Sequence, residues 1–264
     1  MSTRSRFSDL KLRIASSLVM AAIAFLALWF GGWLMILVFG CSAALLMWEL
    51  RRIHFDTSVR DIGLWVMVLC AVGAVVFTAK LGFPFALGEL ALGVLVLFVL
   101  AAGTRRWMVG GLLYVSLALS ILILVRDSPN LGFSGALFIV MVVIATDVGG
   151  YFCGKAIGGP KLWPRVSPKK TWAGALGGLA LAALVGIGFS VFGAPDVPGL
   201  VVLGLVLAVF SMAGDLLESA YKRRFSTKDA SSLVPGHGGL MDRLDGVLAA
   251  SLAFGALSLV WPGV

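Results

Sequence analysis

Charged side chains are scarce in this 264-residue sequence, at 13% of residues, whereas soluble globular domains carry about 25%. Hydrophobic residues make up 60% of the chain, and the mean hydropathy is +1.03. This composition excludes a soluble globular domain. The alternation of polar and apolar positions that membrane barrel strands need is also missing, because the apolar runs are apolar on every face. The sequence therefore predicts an all-α polytopic membrane protein.

Cysteine is rare as well, and its spacing favours neither a disulfide nor a metal cluster. Cys41, Cys70 and Cys153 form no CxxC pair and lie within or at the end of apolar stretches. We interpret them as small packing residues. The first apolar run continues well past Ala22-Ile23-Ala24, so we expect a retained first helix and not a removed signal peptide.

Long apolar runs are abundant, and each is long enough to cross a bilayer as a helix. We predict about nine transmembrane helices, over residues 14–30, 33–50, 62–79, 83–102, 107–125, 133–154, 172–192, 197–222 and 246–261. The basic residues support this count. If the N-terminus is cytoplasmic, only Lys80 and Arg126 of the 21 Lys and Arg residues fall on the outer side.

The net charge of +8 has an explanation that does not involve nucleic acid. The basic loops would face anionic lipid headgroups, and each basic residue near that surface adds about 1 kcal/mol of attraction. We therefore predict membrane lipids, and no nucleic acid, as partners.

Ionisable residues concentrate in the C-terminal half, around residues 215–246. Charges at membrane depth cost a few kcal/mol each, so such residues are candidates for a functional site. Asp215, Ser219 and Lys222 share one helix face, and a carboxylate followed one turn later by a hydroxyl offers hard oxygen ligands suited to Mg²⁺. Asp242 and Asp245 come just before the predicted ninth helix, within reach if helices eight and nine are neighbours.

Basic residues before the seventh helix supply charge of the opposite sign. Lysines in Ser167-Pro168-Lys169-Lys170-Thr171-Trp172 oppose the helix macrodipole, which makes sense if an anion lies between them and the helix N–H groups. Ordinary basic flanking of a membrane helix is the alternative. Acidic and basic clusters converging on one membrane face are what phosphoryl or nucleotidyl chemistry needs.

The sixth helix adds a carboxylate and a row of glycines. Asp147 is predicted about two turns inside the cytoplasmic end of this helix. Gly150, Gly154 and Gly158 form a small-residue ridge that lets another backbone approach closely.

The segments Ser219-Ala-Tyr-Lys-Arg, Lys228-Asp229 and Pro235-Gly-His-Gly-Gly-Leu-Met-Asp-Arg-Leu-Asp245 together resemble the signature of the phosphatidate cytidylyltransferases, or CDP-diacylglycerol synthases. Residues 214–218, the Ser167–Thr171 motif and Asp147 also stand in family-like positions. The resemblance covers roughly residues 145–250. It implies that CTP and phosphatidate react to give CDP-diacylglycerol and pyrophosphate. It also implies a homodimer in the cell's inner membrane, with a Mg²⁺-dependent site facing the cytoplasm and room for a second cation such as K⁺.

The resemblance also implies roles for particular residues. The metal centre would comprise Asp215, Ser219 and Asp242. The catalytic residues would be Asp215, Asp242, Lys222, Asp245 and His237. The substrate-binding residues would be Lys169, Lys170, Ser167, Arg223, Lys228, Asp229, Arg243 and Asp147. The lipid phosphate is already anionic at neutral pH, so in-line attack on the α-phosphate of CTP needs no strong general base, and His237 equally fits a hydrogen-bonding or structural role.

This interpretation divides the chain into an N-terminal transmembrane scaffold, residues 1–125, and a C-terminal catalytic transmembrane region, residues 126–264. Other functions remain open. A CTP-dependent membrane lipid kinase would release CDP instead of pyrophosphate. A transporter for an anionic substrate is disfavoured because the ionisable residues gather at one face and no inverted repeat is evident. A membrane scaffold without activity would leave the paired acids and bases unexplained.

Overall fold

The structure, a computed structural model, describes residues 3–54, 61–100, 105–192, 199–234 and 238–261. Within these ranges the chain forms nine α-helices and one short hairpin. They are α1 (Thr3–Phe30), α2 (Gly32–His54), α3 (Ile62–Lys80), α4 (Phe83–Leu100), α5 (Arg105–Asp127), α6 (Gly132–Ala156), β1 (Lys161–Trp163), β2 (Ser167–Thr171), α7 (Trp172–Val191), α8 (Leu200–Arg224) and α9 (Met241–Ser258).

Seven helices of the described ranges, α2 to α8, are long and apolar enough to cross a membrane. The apolar part of α1 is shorter, Ala15–Phe30. The chain is an all-α polytopic membrane protein, as its composition predicts, since a helix satisfies its own backbone hydrogen bonds in lipid. The count of nine crossings and the cytoplasmic N-terminus stay predictions.

The last helix begins earlier than its apolar pattern predicts. We expected the last helix to begin at residue 246, with Asp242 and Asp245 ahead of it, whereas α9 begins at Met241 and carries both acids in its first two turns. The apolar pattern marks only the lipid-compatible part of a helix. A carboxylate in the first turn is favourable because the N-terminal N–H groups form the positive end of the macrodipole.

The helices form two compact units. The first comprises Met1–Ser120 and Thr227–Arg243. In it α2 packs against α1 and α3, and α3 packs against α4. Its core contains large side chains without solvent exposure, including Met35, Leu46 and Met47. A buried hydrogen bond of 3.0 Å from Thr78 Oγ1 to Ser120 Oγ links α3 to α5.

The second unit comprises Ile121–Ser226 and Leu244–Val264. In it α6 packs against α7 and α8, and α7 packs against α8. The predicted glycine ridge is confirmed in part. A Cβ on Gly174 would lie 2.7 Å from the carbonyl oxygen of Gly150 and 3.4 Å from the Cα of Gly154. Gly158 follows the helix at a φ of +68° and has nothing within 4 Å of a Cβ position. The division of roles between residues 1–125 and 126–264 stays a prediction.

A methyl group at this α6–α7 contact is expected to destabilise the protein. A Cβ on Gly178 would lie 2.8 Å from the carbonyl oxygen of Thr146, so Gly178→Ala must push two helix backbones apart. We expect it to lower the free energy of unfolding by about 1–3 kcal/mol. The control is Gly188→Ala in the same helix, where a Cβ meets nothing within 4 Å and alanine favours the helix. Thermal unfolding in detergent measures both, and equal melting temperatures would contradict the close contact.

Candidate active site

A cluster of three carboxylates lies in the second unit, between α8 and α9. One carboxylate oxygen each from Asp215, Glu218 and Asp245 lies within 4.8 Å of the others. Glycines beside two of these acids allow the helices to come this close. A Cβ on Gly214 would lie 2.8 Å from the carbonyl oxygen of Asp245, and one on Gly246 would lie 2.6 Å from Ser211 Oγ. The absence of a Cβ at Gly214 and Gly246 therefore lets the neighbouring acids, Asp215 and Asp245, come close together.

Two of the three residues predicted to share one face of α8 are in contact. Ser219 Oγ donates a hydrogen bond of 3.4 Å to Asp215 Oδ1, one turn away. Glu218, which is absent from the predicted site residues, is 4% exposed and pairs with Lys222 Nζ at 2.7 Å. Its spacing of three residues from Asp215 and four from Lys222 is the signal that could have identified it.

The hairpin before α7 brings a lysine to the same cluster. Lys170 Nζ lies 2.5 Å from Asp215 Oδ2. Strand β2 pairs antiparallel with β1, with Ser167 opposite Trp163 and Thr171 opposite Lys161. Thr171 Oγ1 accepts a 3.1 Å hydrogen bond from Gly174 N, which caps α7 and fixes where the strand ends.

Successive residues of a strand point to opposite faces, which gives the two neighbouring lysines different surroundings. Lys170 is partly buried against Asp215, whereas Lys169 is exposed. Lysine at residue 170 is thus part of the described cluster, and Lys169 remains a predicted contact for CTP or a lipid headgroup.

The electrostatics of the cluster favour a cation. Asp245 lies ahead of the apolar part of α9, where burial raises the pKa of its carboxyl to about 7, with Asp215 and Asp147 adding to the rise. The N–H of Gly246 and the charge of Lys170 act in the opposite direction. Carboxylates that disfavour one another's charge, all with hard oxygen atoms, are a donor set that fits Mg²⁺. Asp147 itself is exposed on α6.

Asp242 lies in the first unit, where its carboxylate accepts hydrogen bonds from two residues that precede α9. Oδ2 of Asp242 accepts hydrogen bonds from Gly239 N at 2.7 Å and from Ala230 N at 3.3 Å. Gly238 has a φ of +85°, and a Cβ there would lie 2.8 Å from the same oxygen. Glycine at residue 238 therefore permits both the positive φ of the backbone and the close approach of the Asp242 carboxylate. The metal role of Asp242 stays a prediction.

The other predicted site residues are placed in part. The charged side chains Arg223, Lys228, Asp229 and Arg243 are exposed, as binding of a phosphate-bearing substrate requires. Ser167 is partly buried at the start of β2. His237 lies outside the described residues. The substrate contacts of all these residues stay predictions.

Comparison with known proteins extends over nearly the whole chain. The model of the family described as "Cytidylyltransferase family" matches residues 11–260. A phosphatidate cytidylyltransferase of Brucella suis is 36% identical over 258 residues, which cover 95% of this chain and 94% of that protein. Those of Bacillus subtilis and Pseudomonas aeruginosa are 37% identical over 138 residues and 42% identical over 151 residues. These alignments cover 52% and 56% of this chain, and 51% and 55% of the respective relatives.

Proposed function

The chain belongs to the cytidylyltransferase family, and from that premise we propose that it is a phosphatidate cytidylyltransferase, which makes CDP-diacylglycerol and pyrophosphate from CTP and phosphatidate. One observation carries the proposal. Three carboxylates and Lys170 meet at one place in a chain that resembles phosphatidate cytidylyltransferases over 95% of its length. Acidic and basic groups in contact are what the transfer of a nucleotidyl group between two phosphates needs.

Mg²⁺ is the cofactor that the donor set supports. Asp215, Glu218 and Asp245 would hold it, with Ser219 beside Asp215 and with Asp242 as the family resemblance implies. When bound, it would neutralise charge on the phosphate oxygens and orient them. Glu218 and Asp245 extend the predicted set of metal ligands.

The reaction joins an oxygen of the lipid phosphate to the α-phosphorus of CTP. It breaks the bond from that phosphorus to the oxygen that bridges the α- and β-phosphates, and this oxygen leaves with pyrophosphate. No proton has to be removed from the nucleophile, because the lipid phosphate is an anion at neutral pH. The protein's part is therefore to position two anions against each other and to lower their mutual repulsion. Lys170 and Lys222, each now paired with a carboxylate, are the ammonium groups that would contact phosphate oxygens.

The enzyme is proposed to work as a homodimer in the cell's inner membrane, with its active site at the cytoplasmic face. The distribution of Lys and Arg along the chain supports this orientation. CTP would then enter from the cytoplasm and phosphatidate from the adjacent leaflet.

Release of pyrophosphate tests the proposal. We expect the purified protein in detergent to release pyrophosphate from CTP only when phosphatidate and Mg²⁺ are both present, and to stop when EDTA is added. Diacylglycerol in place of phosphatidate is the control acceptor and is expected to give no product. Release of CDP with diacylglycerol would instead identify a lipid kinase and overturn the proposal.

A further inference from the structure

Glu49 is a fully buried carboxylate near the end of α2, with 0% of its surface exposed. Among the described residues, it accepts three hydrogen bonds from residues that precede Asp242 in the chain. Ser231 Oγ donates to Oε1 at 2.5 Å, Leu240 N donates to Oε1 at 2.8 Å, and Met241 N donates to Oε2 at 2.7 Å. Both carboxylate oxygens are therefore engaged by residues close to Asp242 in sequence.

These contacts provide hydrogen-bond acceptors for backbone N–H groups at the start of α9. The first N–H groups of a helix have no partner within the helix, and they form the positive end of its macrodipole. Glu49 supplies an acceptor and a negative charge at Met241, the first residue of α9. A buried carboxylate is costly unless it is hydrogen-bonded, so the two features stabilise each other.

Gly239 leaves room for the carboxylate of Glu49. A Cβ on Gly239 would lie 2.7 Å from Glu49 Oε1 and 2.9 Å from the Cβ of Ala230, so only glycine fits there without displacement. The N–H groups of Gly239 and Ala230 in turn donate to Asp242. Glu49 and Asp242 thus accept hydrogen bonds from neighbouring backbone N–H groups, those of Leu240 and Met241 and that of Gly239. We therefore expect a displacement of the Glu49 carboxylate to displace that of Asp242.

We propose that Glu49 is a positioning residue for the transfer reaction: its carboxylate holds Ser231, Leu240 and the first residue of α9, Met241, and so places Asp242. This inference rests on the proposed function. Glu49 acts through Asp242 and does not itself touch substrate.

The hydrogen-bond partners of Glu49 all donate, and this makes a specific test possible. All three partners are donors, since the hydroxyl of Ser231 itself accepts from Leu233 N at 3.1 Å and is left to donate to Glu49. Glu49→Gln keeps the size of the side chain but turns an N–H₂ group towards donors and removes the charge. Ser231→Ala removes one of the three donors and leaves the carboxylate in place.

Three quantities are compared in detergent: kcat, the Mg²⁺ concentration for half-maximal activity, and hydrogen–deuterium exchange of peptides that contain Leu240 and Met241. We expect Glu49→Gln to lower kcat and to raise the half-saturating Mg²⁺ concentration, each on the order of 10- to 100-fold, as for other residues that orient a metal ligand. Exchange should speed up at Leu240 and Met241 and stay unchanged in α6 and α7. Ser231→Ala should change all three quantities in the same direction by less.

The matched control is Glu89→Gln, the same substitution at a partly buried acid of α4. It is expected to leave all three quantities unchanged. A wild-type protein without activity would refute the proposed function. An active wild type whose Glu49→Gln and Ser231→Ala variants keep its Mg²⁺ dependence and its exchange at Leu240 and Met241 would refute the role of Glu49 alone. Should Glu49→Gln fail to fold, Ser231→Ala decides by the same criteria.

Discussion

Asp215→Asn is expected to lower CDP-diacylglycerol synthesis on the order of 10³-fold, as loss of a group that stabilises transition-state charge does. Asp215 stands at the centre of the cluster. One of its carboxylate oxygens lies within 4.8 Å of carboxylate oxygens of Glu218 and Asp245. Asp215 also accepts a hydrogen bond from the hydroxyl of Ser219 and forms an ion pair with Lys170. The amide keeps the shape of the side chain but removes an anionic oxygen from the donor set and leaves Lys170 without its counter-charge.

The measurement is product formed per amount of membrane-inserted protein, so that a loss of insertion is not mistaken for a loss of chemistry. Asp127→Asn is the matched control, because Asp127 is a half-exposed acid of the second unit that pairs with Arg126 at the end of α5. It is expected to keep wild-type activity. An Asp215→Asn variant as active as this control would remove Asp215 from the reaction.

Lys170→Met is expected to lower kcat/KM for CTP or phosphatidate by about 10- to 100-fold, which is the value of a hydrogen bond to a charged group. The substitution keeps the apolar stem and removes the ammonium group that lies 2.5 Å from Asp215. The substitution has two consequences. A substrate phosphate loses a cationic partner, and Asp215 loses its ion pair with Lys170. Lys170→Arg keeps the charge and should recover part of the activity.

Lys161→Met is the matched control for this series. Lys161 lies in β1 of the same hairpin and is exposed. A surface lysine of this kind contributes little, so its loss should leave kcat/KM unchanged. Equal effects of Lys161→Met and Lys170→Met would mean that the hairpin acts only through its overall charge.

Helix positions in the lipid-compatible part of the chain could be predicted closely from sequence. The predicted starts at residues 83 and 172 agree with α4 and α7, because a run of apolar residues in lipid has to form a helix that satisfies its own backbone. The start of α9 could not be predicted in this way. Residues 242–245 precede the apolar run, and the acceptor for the N–H groups of Leu240 and Met241, where the helix starts, is Glu49, about 190 positions earlier in the chain.

The candidate site shows the same limit. The contact of Ser219 with Asp215 follows from helix spacing alone. The pairing of Lys170 with Asp215 joins a hairpin to a helix 45 positions away and follows only from the fold. Gly214 and Gly246 lack a Cβ, and this lets α8 and α9 approach each other, but in sequence they look like ordinary membrane-helix glycines.

The position of the label transferred from CTP tests the central claim most directly. Membranes containing this protein are incubated with phosphatidate and Mg²⁺ and with CTP labelled at either the α- or the γ-phosphate, and label is followed into the organic phase. A phosphatidate cytidylyltransferase transfers the α-label into CDP-diacylglycerol and leaves the γ-label in pyrophosphate. EDTA is expected to abolish the transfer, and Asp215→Asn to lower it on the order of 10³-fold. Transfer of the γ-label into lipid, or no transfer of the α-label by the wild-type protein, would contradict the account.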